Sequence, residues 1–130
     1  MESMGYKRRA QILFLSGEHP APANLAAHYA NQLGGQWMVA RAAVLPSISG
    51  EVAALDEAAL AWADLLVTLD DVALAAKPWL RPGLQHRHYG FAPIPPSADK
   101  IAWRAFNRCV RERVEGMIAG MRMLEKSAQP

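Results

Sequence analysis

Short apolar runs alternate with longer amphipathic segments along the chain. The first run, Gln11–Leu15, ends at a serine, a glycine and a nearby proline, which is typical of a strand buried on both faces of a parallel sheet. Three later runs have the same character, although the fourth is more polar and resembles an edge strand. The predicted strands cover residues 11–15, 37–44, 64–69 and 85–89.

The segments between the runs predict helices. Leu25, Tyr29 and Leu33 recur at intervals of four residues, and a glycine pair then ends that helix. The last helix carries one apolar stripe made of Ile101, Phe106, Val110, Val114, Met117 and Met121. The predicted helices cover residues 25–33, 51–62, 70–77 and 98–125.

This regular alternation of strand and helix predicts a doubly wound α/β domain with a four-stranded parallel sheet and helices on both faces. The sequence contains no internal repeat and no linker. We therefore expect a single domain over residues 10–126, preceded by an N-terminal extension at 1–9 and followed by a frayed tail at 127–130.

The hydrophobic content, the net charge and the cysteine count limit the classes of protein to which this chain can belong. Of the 130 residues, 52% are hydrophobic, which is enough for a sizeable core, and the net charge is only +2. The basic residues Lys7, Arg8 and Arg9 precede a hydrophobic strand, where such residues usually improve solubility, so we expect no nucleic-acid partner. A single cysteine, Cys109, excludes an intrachain disulfide, and we expect it to be a small core residue.

Membrane and export segments are also not expected. No stretch approaches the roughly 20 apolar residues of a membrane span, and Ile12–Leu15 is too short for the core of a signal peptide. The sequence therefore predicts a cytoplasmic protein without a membrane partner. We also expect no cofactor and no metal ion.

In a doubly wound fold, chemistry is expected in the loop between the first strand and the first helix, where helix N–H groups face an anion. Here the hydrophobic strand Ile12–Leu15 is followed by a loop and then by a helix that starts with Leu25–Ala27. This arrangement resembles the low-molecular-weight tyrosine phosphatase and arsenate reductase family, whose strand leads into Cys, five residues, Arg and Ser. Residues 62–70, 88–91 and the last helix resemble later landmarks of that family.

The resemblance covers about residues 10–125 and implies the phosphatase fold with strand order 2-1-3-4. It also implies that the catalytic residues are missing. Ser16 stands at the cysteine position, Pro22 at the arginine position and Ala23 at the following serine position. Ala92 and Pro93 stand where the family carries its general acid. The expected function is therefore a degenerate, inactive domain that binds an unknown partner protein or a second copy of itself.

Two other uses of the chain stay open. The first is a small enzyme or ligand-binding domain that reuses the loop cleft through Ser16, Gly17, Glu18, His19 and His88. The second concerns the residues around the late loop, which form either an exposed interface patch or a filling for the degenerate loop: Trp79, Tyr89, Phe91 and Ile94. His86 and His88 share one face of the last strand, but with no acidic partner nearby in sequence we do not expect a metal site.

Overall fold

The computed structural model describes residues 9–17, 19–45, 54–76, 84–90, 95–96 and 98–128, and from residue 121 onward it describes the backbone alone. Strands and helices alternate along this part of the chain. The elements are β1 (Ala10–Ser16), α1 (Ala21–Gly34), β2 (Met38–Val44), α2 (Glu57–Trp62), β3 (Leu65–Thr68), α3 (Asp71–Ala76), β4 (Gln85–His88) and α4 (Lys100–Ala128).

The four strands form one parallel sheet in the order β2-β1-β3-β4, which confirms the predicted fold class and strand order. β1 lies in the interior of the sheet, and its residues are buried from Ile12 to Ser16. β4 is an edge strand with alternating exposed and half-buried residues, as its polar sequence predicts. This order brings the loop after β1 close to the end of β3.

Helices cover both faces of the sheet. On one face, α1 and α4 pack over Ile12, Phe14 and Val67 to form the larger apolar core. On the other face, α2 and α3 cover a smaller cluster that contains Leu13 and Leu66. Neighbouring residues of a strand point to opposite faces, so the sheet separates the two cores completely. None of the described helices combines the length and apolar character that a membrane span requires.

The first two helices begin several residues away from their predicted starts. α1 begins at Ala21, earlier than the predicted Leu25, because proline fits the first turn, where its missing N–H has no helical partner. α2 begins at Glu57 and not at Glu51, since Asp56 accepts a hydrogen bond from the Ala59 N–H at 2.7 Å and caps the helix. Just before the helix, Ala54 forms a parallel bridge with Val44 of β2.

Two predictions on α4 were wrong. Cys109 is exposed and is not a core residue, and Ile101 is 80% exposed. The buried stripe runs through Phe106, Val110 and Val114, whose spacing of four residues keeps them on one side of the helix. Cys109 lies one position away from that stripe, and Ile101 lies five residues before its first member. α4 continues to Ala128, a little beyond its predicted end.

Candidate functional site

The serine at the end of β1 is the central residue of the predicted site. Ser16 is 0% exposed, and its Oγ accepts a hydrogen bond from the Ala23 N–H at 3.1 Å. Ala23 lies in the first turn of α1, where a helix leaves its N–H groups without helical partners. The residue before the helix, Pro20, offers no side-chain cap, so the Ser16 hydroxyl takes over that role. The hydroxyl is therefore inaccessible to solvent and already accepts a hydrogen bond from the protein.

The next residue directs its backbone N–H at an acidic side chain that follows the C-terminal end of β3. The Gly17 N–H donates to both carboxylate oxygens of Asp70, at 3.0 and 2.8 Å. The same carboxylate accepts the Ala73 N–H of α3 at 2.8 Å. Asp70 thus joins the loop after β1 to the start of α3 through charge-assisted hydrogen bonds. The Asp70 carboxylate therefore accepts the N–H group that a bound oxyanion would otherwise use.

The remaining loop residues differ in their exposure. Pro22 and Ala23 are buried in the first turn of α1, whereas His19 is exposed to solvent. Glu18 lies outside the described residues. Ala92 and Pro93, which the resemblance places at the general-acid position, lie outside them as well.

A second polar cluster forms where β3 and β4 end. Thr68 is 0% exposed, and its Oγ1 lies 2.9 Å from His86 Nε2 and 2.8 Å from His88 Nδ1. Both histidines therefore point to the same side of β4, as their spacing predicts. One hydroxyl has a single hydrogen, so at least one histidine must donate an N–H to Thr68. His88 also approaches Asp71 of α3, with Nε2 at 3.8 Å from the carboxylate.

Sequence reasoning missed Thr68, although a pattern could have revealed it. It is the one polar residue within the apolar run Leu65–Leu69, and a buried hydroxyl needs hydrogen-bond partners. Across the part of the chain described, no group of three or more His, Cys, Asp or Glu side chains is arranged to hold a metal ion.

The sheet keeps the two clusters apart. Thr68 pairs with Leu15, so both side chains lie on the face covered by α2 and α3. Ser16 follows Leu15 directly and points to the other face, toward α1. His88 pairs with Thr68 in the same register and shares its face. The structure therefore does not bring His88 beside the Ser16 hydroxyl.

Comparisons with known proteins add to this geometry. No protein-family model and no curated protein matches the sequence. Solved structures do match: an arsenate reductase in the phosphate binding state has a TM-score of 0.58 and 17% sequence identity. An arsenate reductase in the reduced state has a TM-score of 0.55 and 15% identity. Each alignment covers 86% of this chain and 98% of the other.

A third match is the thioredoxin-dependent arsenate reductase of Corynebacterium glutamicum, with a TM-score of 0.59 and 13% identity. That alignment covers 93% of this chain and 64% of the other. The chain has the arsenate reductase fold. This finding supports the resemblance seen in the sequence, because the solved neighbours belong to the class that the motifs indicated. Identities of 13–17% establish the fold, and the chemistry must be argued from the residues.

Within the arsenate reductase fold, only one of the predicted interface residues can be placed. Tyr89 is half-buried against the larger core, and the Arg113 guanidinium of α4 lies 5.7 Å from its ring centre. It lines a cavity of about 450 Å³ between the sheet and α4. Trp79, Phe91 and Ile94 lie outside the described residues.

The histidine cluster predicts a pH dependence of stability. Burial lowers the pKa of His86 below its ordinary 6.5, and the nearby His88 acts in the same direction. The folded protein therefore binds this proton less readily than the unfolded chain, so the contribution of His86 is present above pH 6.5 and is lost as the pH falls through the folded-state pKa. We expect the melting temperature to drop less on acidification in His86→Gln than in the unmodified protein.

The control for this prediction is His28→Gln, which removes an exposed histidine of α1. Thermal unfolding followed by circular dichroism over the range from neutral to about pH 5 provides the measurement, and the acid dependence should change more in His86→Gln than in this control. The same acid slope in His86→Gln and in the unmodified protein would contradict the role assigned to His86.

Proposed function

We propose that this chain is a catalytically inactive phosphatase-like domain that acts by binding a partner protein or a second copy of itself. The single observation that carries the proposal is the burial of Ser16, whose hydroxyl is 0% exposed and accepts the Ala23 N–H. A group at the nucleophile position must reach the phosphorus or arsenic atom of a substrate. A serine hydroxyl also needs a base to remove its proton before it can attack efficiently.

The surroundings of Ser16 support the same proposal. Pro22 stands at the arginine position, and its ring can neither donate a hydrogen bond nor balance the charge of an oxyanion. The Gly17 N–H donates to Asp70, so a bound anion would have to displace a carboxylate and face its negative charge. One neighbour of the same fold is described in the phosphate binding state, whereas this chain has no Lys or Arg between Ser16 and Asn24.

Reuse of the loop as a new active site receives no support from the contacts. That role requires a base beside the Ser16 hydroxyl, and His19 is the nearest candidate in sequence. His19 is exposed whereas Ser16 is buried, and the Ser16 hydroxyl bonds instead to the Ala23 N–H of α1. Cys109, the thiol of the chain, lies on the exposed side of α4 and not in the loop.

The test of inactivity is a turnover assay with the purified protein. We expect the release of nitrophenol from an activated aryl phosphate, and the reduction of arsenate with a thiol reductant, to equal the rate in buffer alone. Ser16→Cys should remain inactive, because Pro22 still replaces the arginine. Ser16→Ala serves as the specificity control, with circular dichroism to confirm that each variant is folded. Turnover in the unmodified protein that disappears in Ser16→Ala would refute the proposal.

A further inference from the structure

A basic and aromatic cleft lies between α1 and α4. Its volume is about 410 Å³, and three arginines, two aromatic residues and one amide line it: Tyr29, Trp103, Arg104, Asn107, Arg108 and Arg111. None of these residues belongs to the loop after β1 or to the histidine cluster. The cleft is therefore a surface feature that the degenerate active site does not explain.

The arginines share one side of α4 because their spacings of four and three residues bring successive side chains above one another. All three are exposed. Arg111 lies 3.6 Å from Glu115 one turn further along, which partly balances its charge. Arg104 and Arg108 form no ion pair with another described residue. Two guanidinium groups are thus available to carboxylates from outside, which they can bind with two parallel hydrogen bonds.

The floor of the cleft is held in place by its own contacts. The Tyr29 hydroxyl donates a hydrogen bond to the Asn107 side chain and so joins α1 to α4. The Trp103 ring packs edge-to-face on Phe106, with ring centres 5.5 Å apart. Side chains that are already fixed lose little conformational entropy when a partner binds.

We propose that this cleft docks an acidic segment of a partner protein. Trp, Tyr and Arg are the residue types that contribute most of the binding energy in protein interfaces, and the cleft contains all of them. Ile101, which is 80% exposed, extends the same side of α4 and offers an apolar contact beside the arginines. The inference rests on the proposed binding function and gives that function a location and a partner chemistry.

A nucleic acid fits this surface less well. The protein has 14 basic and 12 acidic residues, and the charges of the cleft come from three arginines of one helix. Binding to a phosphate backbone usually depends on a broader positive surface that contacts many phosphates. A short acidic peptide with apolar residues matches both the limited charge and the aromatic floor.

Fluorescence anisotropy with a labelled peptide of alternating glutamate and leucine residues tests the docking site on the full chain. The test variant is the pair Arg104→Gln and Arg108→Gln. The matched control is the pair Arg41→Gln and Arg87→Gln, which removes the same charge from exposed positions on β2 and β4. We expect roughly tenfold weaker peptide binding in the test variant, and a change of no more than about twofold in the control.

Three results would overturn the docking site. The first is no peptide binding at low ionic strength, and the second is equal weakening in both double variants, which would indicate unspecific charge attraction. The third is that the test variant loses more of its binding to a single-stranded oligonucleotide, or of a dimer seen by size exclusion, than of its peptide binding. Turnover of the aryl phosphate would refute inactivity and leave these binding results unchanged, so the two proposals can fail separately.

Discussion

Replacement of Gly17 by alanine is expected to lower the free energy of unfolding by about 2–3 kcal/mol. A Cβ at this position would lie 2.4 Å from the backbone nitrogen of Ala73 and 2.7 Å from Val72 Cβ. A backbone atom cannot rotate away as a flexible side chain can, so α3 would have to move from β1. That movement would also stretch the hydrogen bonds that Asp70 accepts from Gly17 and Ala73.

Gly116→Ala is the matched control for this prediction. A Cβ at Gly116 meets no atom within 4 Å, and the residue lies inside α4 on an exposed side. Alanine there should raise the free energy of unfolding by about 0.5–1 kcal/mol, because glycine is a poorer helix former. Urea unfolding of both variants measures the two effects. Equal changes of the same sign would contradict the close approach of α3 to the loop.

Asp70→Ala is expected to destabilise the fold by about 2–4 kcal/mol, since two backbone N–H groups lose a charged acceptor. The Gly17 N–H is buried and donates to the two oxygens of this carboxylate, at 3.0 and 2.8 Å. The Ala73 N–H, bonded at 2.8 Å, would lose its helix cap at the same time. Urea unfolding measures the change.

The control for Asp70 is Asp99→Ala. Asp99 also caps a helix, but it accepts one described side-chain bond, from the Ala102 N–H at 2.9 Å, in an exposed setting. Its loss should lower the free energy of unfolding by about 1 kcal/mol. Asp70→Asn should fall between the two, because the amide keeps one acceptor oxygen. If Asp70→Ala and Asp99→Ala were equally destabilising, Asp70 would be an ordinary cap and would not join the loop to α3.

These two residues also bear on the proposed function. In this chain the glycine of the loop packs against α3, and the carboxylate of Asp70 satisfies its N–H. Both features fix Gly17 against the start of α3 and contribute to the stability of the domain. A loop built this way fits a domain that binds through another surface, such as the cleft between α1 and α4.

Much of the fold could be predicted because it depends on local patterns. Continuous apolar runs can be satisfied only by burial on both faces, so β1 and β3 were predicted to be central strands, and both are buried. The polar sequence of β4 likewise indicated an edge strand. The strand order came from the resemblance to a known family and is confirmed by the pairing of β1 with both β2 and β3.

Helix ends and surface residues were predicted less well, for reasons that lie partly outside the local pattern. The first turn of α1 accommodates Pro22, and the hydroxyl that accepts its Ala23 N–H comes from Ser16, seven residues away. The exposure of Cys109 depends on which side of α4 packs against α1, and its apolar neighbours do not reveal that side.

The sequence by itself determined the identities of Ser16, Pro22 and Ala23, which the resemblance places at the cysteine, arginine and serine positions of a phosphatase loop. Only the tertiary structure decided what those positions do. The bond from Gly17 to Asp70 spans 53 residues and forms because parallel pairing brings the ends of β1 and β3 together. The hydrogen bonds of His86 and His88 with Thr68 also depend on strand pairing. Thr68 lies 18 and 20 residues before the two histidines, and the register of β3 with β4 makes them neighbours.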